Sequence, residues 1–377
     1  MNKLKILIVD DSALMRRTES DIISADSRFT VVGTCVDGLE AYDKVSKNPS
    51  DYDLVLMEIN LPRMTGLEFL AAIKKARIQV KTIIVSANLK QDSKETIKAL
   101  ELGAFDFIRK PESFLEFRSD AFKAKLLEKI SLASSGHTYS IRPASSGTTD
   151  TSRVVSPMNA REILAAITTP RRPHKAVSAN AKKLVLIAVS TGGPKALQTV
   201  IPNLPKNLNA PILLVQHMAV GFTKSLAERL NAESSIKVVE AEHGQEIEKG
   251  TVYIAKGGTQ MRLKKSGRGY VIDLNAEEPA RNALKPCADI LFESIADLDF
   301  DEIICCVLTG MGGDGTMGIH TLAQKNNCYV IAQDEKTSAV YGMPKVVFEA
   351  GLTDTVKPLE EVAKEIANNT GVLNYGC

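Results

Sequence analysis

The feature that most limits what this chain can fold into is a texture that occurs twice. Over the first 110 residues, short apolar runs (KILIV, TVVGTCV, DLVLME, KTIIVSA, FDFIRK) alternate with stretches of helical period (ALMRRTESDII, LEAYDKV, GLEFLAAIKKA, KETIKALELG). Parallel neighbours in a sheet need crossovers long enough to hold a helix. Five strands interleaved with helices therefore predict an α/β domain, a five-stranded parallel (βα)5 sheet with helices on both faces, over residues 1–120. A fifth helix over 112–132 would extend that domain to about residue 133. The texture returns after Lys183. KLVLIAV, PILLVQH, KVVEA, TVYIA, YVIDL, EIICCVLT and CYVIAQ read as strands, and KALQTVIPNL, FTKSLAERLN, CADILFESIA and GIHTLAQK as helices. The middle of this half has strands without long helices between them. That predicts a doubly wound α/β domain over 182–370 with a β-hairpin excursion.

Between the two domains, residues 134–181 are rich in Ser, Thr and Gly and poor in apolar anchors, which reads as a flexible linker. Across 135–183 eight Lys or Arg face two Asp or Glu, so this tether is basic, locally +6, and the remainder is near −4. Within it, MNAREILAAI has the pattern of a short helix.

Composition removes several function classes. The 47 basic and 45 acidic residues leave a net charge of +2, which argues against a nucleic-acid binder. No apolar stretch approaches the roughly 18 residues of a membrane span, and the N-terminal run is too short for a signal-peptide core. A cytoplasmic protein without membrane insertion is expected. The six cysteines form no CxxC pair, and the five histidines lack metal-ligand spacing.

In the C-terminal half, Ser190 directly follows LVLIAV and precedes TGGP and a helical stretch. A serine on such a strand-to-helix turn stands at the carboxyl edge of a sheet beside backbone N–H groups. Either a phosphate sits on this turn or Ser190 is a nucleophile. His217 ends the strand ILLVQ, and Asp314 lies in LTGMGGDG after IICCV. Ser, His and Asp thus follow three different strands at one edge. A histidine can take the proton of a serine, and a carboxylate can fix the histidine's tautomer. The chain order Ser–His–Asp and the absence of G-x-S-x-G disfavour a standard α/β-hydrolase. The alternative is a non-enzymatic phosphate- or nucleotide-binding signalling module, but no G-x-x-x-x-G-K-[ST] is present. A transcriptional regulator would need a basic recognition helix after the first domain.

At these residues the chain resembles the chemotaxis protein-glutamate methylesterases. AVSTGGPKAL, LLVQHMAVGFTKSLAERLN, GTVYIAKGGTQM, CADILFESIA, CVLTGMGGDGTMGI and VIAQDEKTSAVYGMPK carry the resemblance. It implies Ser190 as nucleophile, His217 as general base and Asp314 as orienting carboxylate. It also implies hydrolysis of glutamyl methyl esters, and deamidation of glutamines, on methyl-accepting chemoreceptors, with no cofactor for the hydrolysis. Backbone N–H groups near Thr191 and Met311 are the candidates for the oxyanion site.

The N-terminal half resembles the receiver domain of response regulators through VDDS, LPRMTGLEFL, VSA and FIRKP. The resemblance implies that Asp10 and Asp11 are the acidic pair, Ser86 the hydroxyl, Lys110 the lysine and Phe107 the aromatic switch. Mg²⁺ would be held by Asp11, Glu58 and Asn60. The position that accepts phosphate in the family is Glu58, one methylene longer than aspartate, and Thr65 replaces an aspartate common in that loop. In-line phosphoryl transfer depends on positioning, so phosphotransfer from the histidine kinase of the chemotaxis system is put in question. Glu58 would mimic a phosphoaspartate, pair with Lys110 in a locked form, or bind Mg²⁺ without accepting phosphate; the first is the preferred reading. In the family the receiver covers the catalytic cleft. A monomer is expected.

Overall fold

The structure is a computed structural model. It describes residues 3–86, 90–111, 113–117, 119–134, 160–178 and 181–372. The chain forms two units, residues 1–138 and 139–377.

The first unit is a parallel sheet of β1 (Leu4–Val9), β2 (Phe29–Cys35), β3 (Leu54–Glu58), β4 (Lys81–Ser86) and β5 (Asp106–Arg109), in the order β2-β1-β3-β4-β5. All five expected strands are present. The central strand β3 is buried throughout, as its unbroken apolar run requires. Helices begin where polar side chains satisfy the open N–H groups: Ser12 caps Ala13–Ser24, and Asp37 caps Gly38–Lys47. Thr65 opens Gly66–Lys75 with a reciprocal capping box to Glu68. The fifth helix is two helices, Phe114–Phe117 and Asp120–Ser134. The second covers the sheet with Phe122, Leu126 and Ile130, beside Phe117.

The second unit has a seven-stranded parallel sheet. Its strands are β6 (Lys183–Val189), β7 (Ile212–Gln216), β8 (Lys237–Glu240), β9 (Thr251–Ile254), β12 (Glu302–Val307), β13 (Cys328–Gln333) and β14 (Thr355–Lys357). Between β9 and β12 the chain makes the antiparallel hairpin of β10 (Gln260–Ser266) and β11 (Gly269–Asn275), the expected excursion. The sheet order is β14-β13-β12-β6-β7-β9-β8. β6 is the switch point, with β7, β9 and β8 on one side and β12, β13 and β14 on the other, so the crevice of the fold lies outside the carboxyl ends of β12, β6 and β7. The core joins the sheet to Leu291, Phe292 and Ile319 from the helices Ala288–Glu293 and Thr316–Lys325. β10, β14 and the helices Met343–Glu349 and Leu359–Thr370 were not among the expected elements.

The basic linker is divided. Residues 135–159 lie outside the described residues, whereas 160–178 pack on the second unit. MNAREILAAI forms the helix Ala160–Ala166. Ile163 is 3% exposed and packs over Gly313, where a Cβ would lie 2.7 Å from its Cδ1. Arg171 pairs with Asp354, Lys175 and Asn327 exchange hydrogen bonds, and His174 reaches Glu302 at 2.6 Å. This stretch is a strap held by specific polar partners, so the flexible reading does not apply to it.

Candidate active site

His217 and Asp314 meet at the crevice predicted by the sheet order, and Ser190 stands at the end of the neighbouring strand. β6 and β7 pair with Val189 beside Gln216, so the next residues, Ser190 and His217, leave adjacent strands side by side. The His217 N–H still bonds the Val189 carbonyl at 3.2 Å. Ser190 is tied to the other neighbour by its N–H to the Thr309 carbonyl, 3.0 Å. Gly310 permits this closeness: a Cβ there would lie 2.7 Å from the Ser190 Cβ. Asp314 follows on the same loop, and its Oδ2 meets His217 Nε2 at 2.7 Å. That contact leaves Nδ1 as the imidazole nitrogen without a carboxylate partner. Among the described residues no hydrogen bond joins Ser190 Oγ to the ring.

Asp314 is buried, yet its negative charge is well supported. Burial pushes the carboxyl up. The hydrogen bond and charge of His217, then the Ala288 N–H at 2.6 Å and the Cys287 thiol at 3.1 Å, outweigh it and hold the group below the ordinary carboxylate range. The Asp289 N–H adds a fourth donor at 3.0 Å. Cys287, Asp289 and Asp314 bring three potential ligand atoms within 4.8 Å. The Asp314 oxygens are already matched to N–H and S–H donors, so this closeness is the closeness of helix caps.

Of the two oxyanion candidates, Thr191 is buried on the turn after Ser190, and its carbonyl accepts the Thr309 hydroxyl at 2.9 Å. The Met311 N–H finds no acceptor among the described residues and belongs to the loop that abuts Ser190.

Three residues that sequence reasoning passed over wire these loops together. Gln216 donates from Nε2 to the Ser190 carbonyl at 3.0 Å. Gln333, at the end of β13, accepts the Thr309 N–H at 2.8 Å. Thr309 itself accepts the Val340 N–H at 3.0 Å through its hydroxyl. Each is buried. For the two glutamines the sequence shows only a polar residue closing an otherwise apolar strand, ILLVQ and CYVIAQ, which does not tell a solvated amide from a buried one.

At the carboxyl edge of the first sheet, Lys110 bridges two carboxylates. Its ammonium lies 2.6 Å from Asp10 Oδ2 and also contacts Glu58 Oε2. Glu58 turns its other oxygen onto its own loop, accepting from the Ile59 N–H at 2.7 Å and the Asn60 N–H at 3.2 Å. Burial works to depress Lys110, but Glu58 and Asp10 hold it above the ordinary lysine range. Burial pushes Glu58 up, opposed by Lys110 and by the Asn60 and Ile59 N–H groups. Glu19, 1% exposed on the helix Ala13–Ser24, leaves Oε1 without a partner, and burial and then Asp10 push it up to about 8.

Ser86 is buried at the end of β4 and its carbonyl accepts the Lys110 N–H at 2.7 Å; Phe107 is half-buried on β5. Asp11 and Asn60 are exposed. The set named for Mg²⁺, Asp11, Glu58 and Asn60, does not fit a hard dication as it stands. Both Glu58 oxygens already have donors, and Lys110 supplies the positive charge. The contact between Glu58 and Lys110 is the one the second reading of Glu58 requires.

Comparison with known proteins agrees with both units. The CheB methylesterase family matches residues 185–366, and the response regulator receiver domain matches residues 6–121. The protein-glutamate methylesterase/protein-glutamine glutaminase 1 of Syntrophomonas wolfei is 37% identical, covering 97% of this chain and 99% of that protein. The protein-glutamate methylesterase/protein-glutamine glutaminase of Bacillus subtilis is 38% identical, over 97% of this chain and 98% of that one. The crystal structure of the Thermotoga maritima CheB methylesterase catalytic domain is 42% identical, covering 51% of this chain and 99% of its own, with a TM-score of 0.48. No helix among the described residues is long and apolar enough to cross a membrane. With relatives matched along nearly its whole length, this chain is an enzyme of the protein-glutamate methylesterase/protein-glutamine glutaminase family, a receiver followed by a hydrolase unit.

Proposed function

We propose that this chain hydrolyses glutamyl methyl esters on the cytoplasmic domains of methyl-accepting chemoreceptors, and deamidates glutamines there, with Ser190 as nucleophile, His217 as general base and Asp314 as the carboxylate that orients it. The observation that carries this reading is the 2.7 Å contact between His217 and Asp314, one strand away from Ser190. With Nε2 committed to Asp314, Nδ1 is the nitrogen that receives the Ser190 proton. The serine oxygen attacks the ester carbonyl. The tetrahedral intermediate places its negative oxygen toward the N–H groups of Met311 and Thr191, each such donor typically worth about 2.7–4 kcal/mol. Collapse forms the acyl-enzyme, and His217 returns the proton to the departing methoxide, giving methanol. Water repeats the sequence and frees the carboxylate. With a glutamine, ammonia leaves instead.

Methanol release from methylated receptor, compared between the chain and Ser190→Ala, tests the assignment. Near-complete loss is expected; equal rates would remove Ser190 from the mechanism.

For the receiver, the bridge from Lys110 to Glu58 favours a form that takes no stable phosphoryl group, whether from the chemotaxis histidine kinase or from a small phosphodonor. Incubation with acetyl phosphate and Mg²⁺ should leave the mass unchanged. A one-phosphoryl increase mapped to Glu58 would refute this.

A further inference from the structure

The C-terminal unit buries two carboxyls at its crevice, and the reaction described above uses one. Asp289 is 2% exposed, more deeply buried than Asp314 at 6%. It lies in the first turn of the helix Ala288–Glu293, whose starting residue, Cys287, makes no side-chain cap. Asp314 closes that turn from a distant loop by accepting the Ala288 and Asp289 N–H groups. Asp289 does the reverse. Its Oδ1 accepts the Gly315 N–H at 2.9 Å and the Gly318 N–H at 2.7 Å. These belong to the start of the helix Thr316–Lys325, whose cap, Gly315, has no side chain to offer. Each aspartate therefore satisfies the open N–H groups of the other's helix. The two helices touch closely: a Cβ on Gly318 would lie 2.6 Å from the Phe292 Cβ and 3.0 Å from the Asp289 Cα.

We propose that Asp289 is a positioning residue for ester hydrolysis: by holding the Gly315–Gly318 turn it fixes where the Asp314 carboxylate meets His217. The proposal rests on the Ser190–His217–Asp314 reading. Two adjacent buried carboxyls do not both carry full charge. Asp314 holds the negative charge because His217, two N–H groups and a thiol point at it. Asp289 faces Asp314 and Glu293, with Arg281 as the opposing cation. Burial, then the Asp314 charge, push it well above the usual carboxylate range despite Gly318 and Arg281. Asp289 accepts two hydrogen bonds through one oxygen, an arrangement that an asparagine can reproduce.

The test measures methanol release from methylated receptor by the full chain across pH, for wild type, Asp289→Ala, Asp289→Asn and Ser190→Ala. Asp289→Ala should lower kcat by about 10- to 100-fold at nearly constant KM, the size expected when a catalytic group shifts by about 1 Å. Asp289→Asn should stay within about threefold of wild type, with an unmoved pH profile. Wild-type kcat in a folded Asp289→Ala protein would overturn the proposal while leaving the triad standing if Ser190→Ala is inactive. A displaced acid limb in Asp289→Asn would also overturn it, because Asp289 would then act through its charge. If Asp289→Ala does not fold, Asp289→Ser reads the same quantity: lowered kcat at unchanged KM supports the role, and wild-type kcat defeats it. Full activity in Ser190→Ala would instead bring down the underlying reading.

Discussion

At the edge of the first sheet Asp10, Glu19 and Glu58 gather around one cation, Lys110, whereas at the edge of the second Asp314 and Asp289 are held by backbone N–H groups and an imidazole. The two arrangements bury carboxyls at the same topological place by different means. A lysine ammonium sits on a four-carbon stem and can leave when another charge arrives. Backbone dipoles belong to the fold and stay where they are during a reaction. The first cluster is suited to changing state, and the second to keeping a geometry.

The sharpest way to break this contrast is Asp314→Asn. Both carboxylate oxygens accept: Oδ2 from His217 and Ala288, Oδ1 from Cys287 and Asp289. An asparagine offers one acceptor, so the helix start loses one of its two N–H partners in either orientation, and in one of them the imidazole loses its partner as well. The rate of methanol release should fall by about 10⁴, the size of the corresponding change in a serine protease, and thermal melts should show a lower Tm. A rate within tenfold of wild type would mean that the N–H donors do not define this site.

The complementary change in the receiver is Glu19→Leu, which removes a carboxyl that no cation serves fully. With its value raised from 4.5 to about 8, Glu19 keeps its proton in the folded chain where the unfolded chain has lost it. Stability should therefore fall as pH rises from about 4.5 to about 8, by at most about 5 kcal/mol at roughly 1.4 kcal/mol per pH unit. Glu19→Leu should flatten that slope and raise stability at alkaline pH, read by denaturant melts of the full chain with amide exchange followed in β1. An unchanged slope would show that Glu19 has found a partner or that the cluster relaxes.

How much of this was legible beforehand differs between elements for physical reasons. β6, β7 and β12 announced themselves as apolar runs, and Ser190 was visible because a Gly-Gly-Pro turn directly follows one of them. Gln216 and Gln333 were not, since a glutamine ending a run looks the same whether it meets solvent or a buried carbonyl. Asp289 was hidden for a related reason: in CADILFESIA an acid in a first turn reads as ordinary helix chemistry, and only the packing of Thr316–Lys325 against it removes the water. β14 has three residues, too few for any periodicity. The strap at 160–178 looked like tether because composition reports polarity and not partners; Arg171 becomes structural only when Asp354 stands opposite.

A smaller effect separates the readings of Glu58. Glu58→Asp shortens the side chain by one methylene, so it cannot keep both the Lys110 contact and the bonds to the Ile59 and Asn60 N–H groups. A cost of about 1.5–3 kcal/mol is expected for one lost hydrogen bond to a charged group, together with a gain: acetyl phosphate and Mg²⁺ should now label the protein and change its esterase rate. If the labelled variant hydrolyses ester no differently from the unlabelled one, Glu58 does not bear on control of the hydrolase.

The smallest change tests whether distance in the chain is what makes a cap matter. Thr65 caps Gly66–Lys75 from the adjoining position, its hydroxyl 3.2 Å from the Glu68 N–H, and Glu68 answers through the Thr65 N–H at 2.8 Å. Everything in this box lies within one turn and is exposed to water, so solvent can replace what is lost. Thr65→Ala should cost about 1 kcal/mol and leave methanol release untouched. The caps made by Asp314 and Asp289 join segments about 25 residues apart through buried side chains, so their loss should appear in kcat as well as in stability. A large loss of stability in Thr65→Ala would erase this distinction, since a local cap would then weigh as much as one that ties two loops together.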